Sequence, residues 1–263
     1  MQNWTGSAAG AAVMPDGSIE RFGPNDAVFA LASITKLYTA MAALVAHEEG
    51  TLDLDDPFDE AGFSAADLLA HSAGIAPDEQ RSLAPPAARR IYSTAAYDIL
   101  ADRITDRAGM PFDHYAAEAV ARPLGMTRWR LEGSAGAGAS GSVDDVLALL
   151  RAWQAPILVD ERTRARAVTP HHPTLDGVLP GYGRQSPNPW GLGPEIRGQK
   201  SPHWTSPNND PATFGHFGRT GTVAWVDPGT RTSLIALSDQ EFGPWAIDAW
   251  PLLSTDVLNS ASD

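Results

Sequence analysis

Hydrophobic positions along the chain change period three times, and each change predicts a different element. Two short apolar runs, 8–14 and 18–22, flank Pro15-Asp16-Gly17, a turn tripeptide, and predict an N-terminal hairpin. From 31 to 153 the spacing is mainly helical, with periodic segments over 33–49, 64–72, 93–108, 112–122 and 142–154, punctuated by Gly and Pro. In the first of these, Leu37, Ala40, Met41, Leu44 and Val45 recur at i, i+3, i+4, i+7 and i+8, which predicts an amphipathic helix. Residues 155–213 lose the period and are rich in Pro, Gly, Asn and Trp, so they read as long irregular loops of the kind that line a site. Strand-like runs return at 222–227 and 232–238, joined through Pro228-Gly-Thr. The segment 243–258 closes the chain as a helix, kinked or started at Pro251.

Strands at both ends and helices between them predict one domain over 1–263 of mixed α/β (α+β) class. Its sheet part would come from 1–30 plus 190–263, with a mainly helical part, 31–189, inserted. The chain's 263 residues, 43% hydrophobic and 19% charged, suffice for such a core. A formal net charge of −13 and a pI near 4.8 argue against nucleic acid or an anionic membrane as the main partner. The absence of cysteine excludes disulfides, thiolate metal sites and a Cys nucleophile. No apolar run approaches membrane-spanning length, and no signal peptide is visible at residues 1–5 or beyond, so the expectation is a cytoplasmic chain, or an exported one whose leader has been removed.

Candidate chemistry begins with lysine usage. The chain has seventeen arginines and two lysines, Lys36 and Lys200, and Lys36 lies in the apolar stretch 29–44, three residues after Ser33. A desolvated ammonium can lose its proton and act as a base, which a guanidinium cannot. On a helix, residues i and i+3 share a face, so Ser33-Ile-Thr-Lys36 is a candidate nucleophile and activator pair. Ser33 at the helix start would also have backbone N–H groups beside it for a developing negative charge. A plain N-cap serine is the competing reading. Two further constellations are set aside. Ala70-His-Ser-Ala-Gly74 mimics a nucleophile elbow but follows a helical segment where the elbow needs a strand. His171-His172 suggests a metal, but adjacent histidines rarely share one ion and no carboxylate stands at a typical spacing nearby.

Four stretches resemble the serine β-lactamase and penicillin-binding superfamily, in particular its class C-like branch of DD-carboxypeptidases, D-amino-acid amidases and esterases. Phe29-Ala-Leu-Ala-Ser33-Ile-Thr-Lys36 is similar to the family's S-x-x-K helix start, Asp67-Leu-Leu-Ala-His-Ser-Ala-Gly-Ile75 to its "LLSHTSG" segment, and Pro123-Leu-Gly-Met-Thr127 to a recurrent "PLGM" stretch. Tyr92-Ser93-Thr94 falls where the family has Y-x-N, and His216-Phe217-Gly218 where it has K-T-G or H-x-G. The matches run in family order over roughly 8–240. The resemblance implies a β-lactamase/transpeptidase-like fold, with an antiparallel sheet built from both termini and flanked by helices. It implies an acyl-enzyme on Ser33, with Lys36 taking the proton or holding the charge that lets Tyr92 do so, and Tyr92 serving the leaving group. For that, Tyr92 would need its pKa lowered by a cation such as Lys36. The backbone N–H groups of Ser33 and Arg219 would form the oxyanion hole, His216 would complete the catalytic set, and Thr94, Phe217, Gly218 and Trp190 would bind substrate, Trp190 and Trp204 walling an acyl pocket.

Three departures bear on substrate. Phe217 stands where carboxylate-binding members have Thr or Ser, and a ring cannot donate that hydrogen bond. His216 replaces a permanently charged Lys. Thr94 replaces an amide that would fix substrate and Lys36. The resulting expectation is an esterase or amidase for uncharged acyl groups; the alternatives are a DD-carboxypeptidase or β-lactamase, and a non-catalytic binding protein with a degenerate site. The expected partner is a small molecule (ester, amide, D-amino-acid peptide or β-lactam), with no cofactor and no metal, and the expected assembly is a monomer or simple homo-oligomer.

Overall fold

The hairpin read at the N-terminus forms. In the computed structural model, which describes residues 6–58 and 62–261, β1 (Ala8–Val13) and β2 (Ile19–Phe22) pair antiparallel; the leader reading at residues 1–5 lies outside the described residues. The turn closes through the Gly17 N–H donating to the Met14 carbonyl at 2.9 Å, with Gly17 at φ +87°, and Asp16 accepts from the Ser18 N–H at 2.8 Å.

Among the described residues the main sheet is antiparallel and draws strands from both ends of the chain. Its order is β2, β1, β11 (Thr232–Ser238), β10 (Thr222–Asp227), β9 (Phe214–Gly218) and β8 (Glu195–Ile196). Ala8 sits opposite Ser238, and Ala224 opposite His216. Every residue of β10 and β11 is buried, which explains their unbroken apolar runs, because a strand covered on both faces has no reason to alternate. One face (Ala224, Val226, Ile235, Leu237) packs on α1 (Thr35–Glu48) and α5 (Val143–Gln154); the other (Val223, Trp225, Leu234, Ala236) packs on α7 (Pro244–Ser260) with Trp250 and Leu258.

Helix boundaries follow local chemistry. Ser64 with Asp67 and Ser142 with Asp145 form capping boxes that start α2 (Ala65–Leu69) and α5. Further helices are α3 (Ala95–Ala108), which ends on left-handed Gly109, and α4 (Phe112–Ala116), which runs on into a π turn over Ala117–Ala121. Where a single apolar stripe is predicted for α1, the helix is buried on every face from Thr35 to Ala46, since the sheet, α3 and the α4 region enclose it.

Two expectations need correction. The segment 155–213 holds α6 (Glu161–Ala167), a small hairpin of β6 (Gly177–Leu179) and β7 (Gly183–Gln185), and the edge strand β8. α6 escapes a hydrophobic pattern because Ala167 is its one buried residue, and it is started by Asp160 accepting from the Arg162 N–H at 2.8 Å. A second small sheet, β3 (Phe29–Ala30), β5 (Ala139–Gly141) and β4 (Arg130–Leu131), has strands too short to show a period. The last helix starts at Pro244, not at Pro251, which lies inside it.

The buried cap of α5 gives a direct check. Ser142 accepts from the Asp145 N–H at 3.3 Å and donates to its carboxylate at 2.8 Å, so Ser142→Ala should cost about 1 kcal/mol. Thermal denaturation should register a fall of about 2–4 °C; an unchanged Tm would mean that the cap contributes nothing.

Candidate active site

The turn that carries Ser33 is fixed from three sides. Ala32 takes a left-handed conformation, φ +46°, and begins a 3-10 turn (Ala32–Ile34) that runs directly into α1, so Ser33 projects at the helix start. The Leu31 N–H donates to the Ala139 carbonyl of β5 at 2.9 Å, and Thr35 Oγ1 bridges the Ala32 carbonyl (2.5 Å) and the Ala139 N–H (3.0 Å). From the other side Thr222 Oγ1 donates to the Leu31 carbonyl at 3.0 Å. Gly218 closes the third side: a Cβ there would stand 3.0 Å from the Ala32 Cβ and nearer still to the Leu31 carbonyl. The missing side chain lets the end of β9, and Arg219 after it, approach Ser33.

Lys36 lies under Ser33 with no exposed surface. Its Nζ donates to Ser33 Oγ (3.4 Å), Thr94 Oγ1 (3.2 Å) and the Gly136 carbonyl (2.8 Å), and stands 4.8 Å from the Tyr92 ring centre. Burial pushes its pKa down to about 7, against the weaker pull of Asp98 and Asp78. Desolvation outweighs those carboxylates because an ammonium without an ion-pair partner in the hydrogen-bond shell loses hydration that distant charges cannot replace. The Thr94 hydroxyl therefore does hold Lys36, where its departure from the family's Asn suggested a missing support. Gly136 had no sequence signal, yet its carbonyl accepts the shortest of the three bonds; a Cβ there would press on Thr94 at 2.9 Å and on Tyr97 at 3.2 Å.

Tyr92 comes from the segment before α3, and its hydroxyl has Ser33 as a hydrogen-bond partner and His216 Nε2 at 3.5 Å. Burial pushes its pKa up, and the Ser33 hydrogen bond only partly offsets that. This reverses the expectation that Lys36 would lower it: one desolvated environment drives both groups toward neutrality, Lys36 down and Tyr92 up. His216, in the middle of β9, is also neutral, since burial and the nearby Lys36 push its pKa down to about 3. Its Nδ1 lies 2.7 Å from the Phe217 carbonyl, which can only accept, so the proton sits on Nδ1 and Nε2 is free to accept from Tyr92.

These side chains border a cavity of about 380 Å³ lined by Ser33, Tyr92, Thr94, Trp190, His216, Phe217 and Arg219 among others. Lys36 is beneath its floor, and Gly218 acts through close approach. Phe217 lines the cavity, while its ring packs with Trp204, Phe242 and Trp250 at centroid distances of 6.0, 5.1 and 5.6 Å; Trp204 thus backs the wall without forming it. The sequence offered no pointer to Asp78, Glu195 or Phe242, which also line the cavity. Glu195 explains the second lysine. It is buried with Lys200 as an ion pair, accepts from His203 Nε2 at 3.0 Å and from Trp204 Nε1, and Lys200 also donates to the carbonyls of Pro189 (2.9 Å) and Ile196 (2.7 Å). That network is satisfied internally and braces the loop carrying Trp190. His71 and Ser72 stay out of the cavity: both are buried, Ser72 Oγ donates to Asp67 at 2.8 Å, and His71 packs against Tyr92 and Trp190.

A helix-start serine over a desolvated lysine, faced by a tyrosine and the H-x-G of β9, agrees with what comparison with known proteins finds. In a crystal structure, a beta-lactamase from Mycobacterium bovis (Mb2281c) is 44% identical and superposes with a TM-score of 0.96 over 100% of this chain and 98% of that one. A penicillin binding protein from Bacillus halodurans (18% identical, TM-score 0.77, 95% and 96% of the two chains) and the LovD6 mutant of the simvastatin synthase LovD from Aspergillus terreus (17%, 0.80, 97% and 90%) share the fold. Among curated proteins, the D-alanyl-D-alanine-carboxypeptidase/endopeptidase AmpH of Escherichia coli is 25% identical over 139 residues, 38% of this chain and about a third (36%) of that protein's length. The Beta-lactamase family model matches residues 6–255, nearly the whole fold including each side chain around the cavity, and the chain therefore belongs to the beta-lactamase family.

Proposed function

We propose that this protein is a serine hydrolase that cleaves ester or amide bonds through an acyl-enzyme on Ser33. The observation that carries the reading is the Lys36 ammonium, buried against Ser33 Oγ at 3.4 Å with its pKa pushed down to about 7 by burial, so that a neutral amine is available near neutral pH. The Ser33 oxygen attacks the substrate carbonyl as its proton passes to Lys36 Nζ. The oxyanion is held by the backbone N–H groups of Ser33 and Arg219. Tyr92, a neutral phenol, gives its proton to the leaving group and recovers one from Lys36, which frees the acyl-enzyme of excess charge. In deacylation a water attacks, Lys36 takes its proton, and the departing Ser33 oxygen receives that proton as the acid leaves. His216 orients the Tyr92 hydroxyl by accepting its hydrogen bond.

Phe217, Trp190 and Phe242 give the cavity an apolar side, which favours uncharged acyl groups and hence an esterase or amidase. One observation favours a second reading, DD-carboxypeptidase or β-lactamase: Arg219, exposed at the cavity mouth, offers a cation to a substrate carboxylate that Phe217 cannot bind.

Initial rates with p-nitrophenyl butyrate test the first reading. Ser33→Ala should lose on the order of 10³-fold or more, and equal rates in both proteins would refute it. Lys36→Arg keeps the charge and cannot exchange the proton, so it should lose on the order of 10²-fold. Because the base must be unprotonated, kcat/KM should fall about tenfold per pH unit below about 7 and level off above it. His216 is already neutral there and adds no second limb. Incubation with benzylpenicillin, followed by assay of the remaining penicillin and peptide mass mapping, separates the two readings: an esterase leaves both the penicillin and Ser33 unmodified, whereas a stable or turned-over penicilloyl adduct on Ser33 would select the second.

A further inference from the structure

Asp67, His171 and His172 take no part in the chemistry above, yet the fold brings them together across more than a hundred residues of sequence. The Nε2 atoms of His171 and His172 lie 3.4 and 3.0 Å from one and the same atom, Asp67 Oδ1, and all three atoms fall within 4.8 Å of one another. Adjacent residues in extended chain point apart. Here His172 adopts φ +47°, a left-handed conformation that turns its ring to the side of His171, and the two ring centres are 4.2 Å apart.

The arrangement is held by a built clamp. Arg90, 3% exposed, spreads its guanidinium over the carbonyls of His171 and His172 and also donates to those of Ala70 (2.6 Å) and Asn188 (2.5 Å). The carboxylate divides its work. Oδ2 serves the capping box of α2, whereas Oδ1 faces Ser72 Oγ at 2.8 Å as well as both imidazoles. Three donors on one oxygen exceed its two lone pairs, so hydrogen bonding alone leaves one ring poorly satisfied. Ligand atoms about 2.0–2.1 Å from a tetrahedral zinc ion stand roughly 3.3 Å apart, a value that lies between the two oxygen-to-nitrogen separations of 3.0 and 3.4 Å. The side chains of His171, His172 and Asp67 are 23%, 38% and 13% exposed, so the trio is open to solvent on one side.

We propose that Asp67 Oδ1, His171 Nε2 and His172 Nε2 form a binding site for a late first-row divalent cation, zinc above all, with water completing a four-coordinate shell. Two imidazoles and one carboxylate suit zinc, cobalt and nickel, and select against magnesium and calcium, which take oxygen donors. The site is structural with respect to the reaction. The His171 N–H donates to the Trp190 carbonyl at 2.8 Å, so the ion would brace the segment that walls the cavity without reaching Ser33.

The test uses the untagged full chain, stripped with EDTA and titrated with cobalt(II) under visible absorption, then with zinc. The expected result is a four-coordinate cobalt band that saturates at one equivalent and is displaced by zinc, with a Tm increase of roughly 5–10 °C at a 100-fold excess of zinc over Kd. His171→Gln and His172→Asn, the latter chosen because Asn tolerates the left-handed backbone, should abolish the band while keeping the wild-type circular dichroism; His114→Ala, at an exposed histidine elsewhere, should keep it. Absence of a saturable band at millimolar cobalt, or a band that survives in both variants, would overturn the site. The readout is binding, so it stands or falls independently of whether Ser33 turns over an ester.

Discussion

Desolvation of Lys36 is the constraint on which the rest of the structure depends. A helix buried on every face has no room for a cation, and this one carries a lysine one turn after Ser33. The three oxygens around Nζ, from Ser33, Thr94 and Gly136, are all uncharged; they orient a neutral amine as readily as an ammonium, but do not replace what water would give the charged form. An aspartate in that shell would have made a stable ion pair and an inert base. The same apolar surroundings keep Tyr92 and His216 neutral, so in the proposed reaction each proton transfer would separate charge between groups that start out uncharged. Within the same wall, Glu195 and Lys200 show the opposite solution, a buried pair closed on itself.

Much of this was legible in the sequence because the chemistry sits on strongly patterned segments. The lysine was conspicuous against seventeen arginines, and Ser33 shared its helical face. The hairpin, the helical middle and the two buried strands announced themselves by period and turn residues. What escaped detection depends on backbone and distance. Gly136 contributes a carbonyl, which no side-chain pattern records. α6 has a single buried residue, so nothing in its spacing distinguishes it from loop. Asp67 was invisible as a neighbour of His171 and His172 because a separation of more than a hundred residues is bridged only by the fold, and no spacing rule anticipates the left-handed backbone at His172 that brings the two rings together.

The direction of Tyr92's pKa shows why sequence reasoning about charge needs burial. Placed beside a lysine on paper, a tyrosine should acidify. Placed beside a lysine that is itself driven toward neutrality, it feels little cation and much desolvation, and its proton is held more tightly.

The continuity of the 3-10 turn with α1 has a further consequence. Ser33 and Lys36 are spaced by three peptide units of one rigid element, so their alignment is set by covalent geometry and survives rearrangement elsewhere. Pro180, Gly181 and Phe242, which also line the cavity, belong to loops outside that element. In the proposed acyl transfer, attack and selectivity are thereby modular: loops can be lengthened, shortened or exchanged to admit new acyl or leaving groups while Ser33 and Lys36 stay in register, which would let one scaffold diversify its substrates without rebuilding that pair.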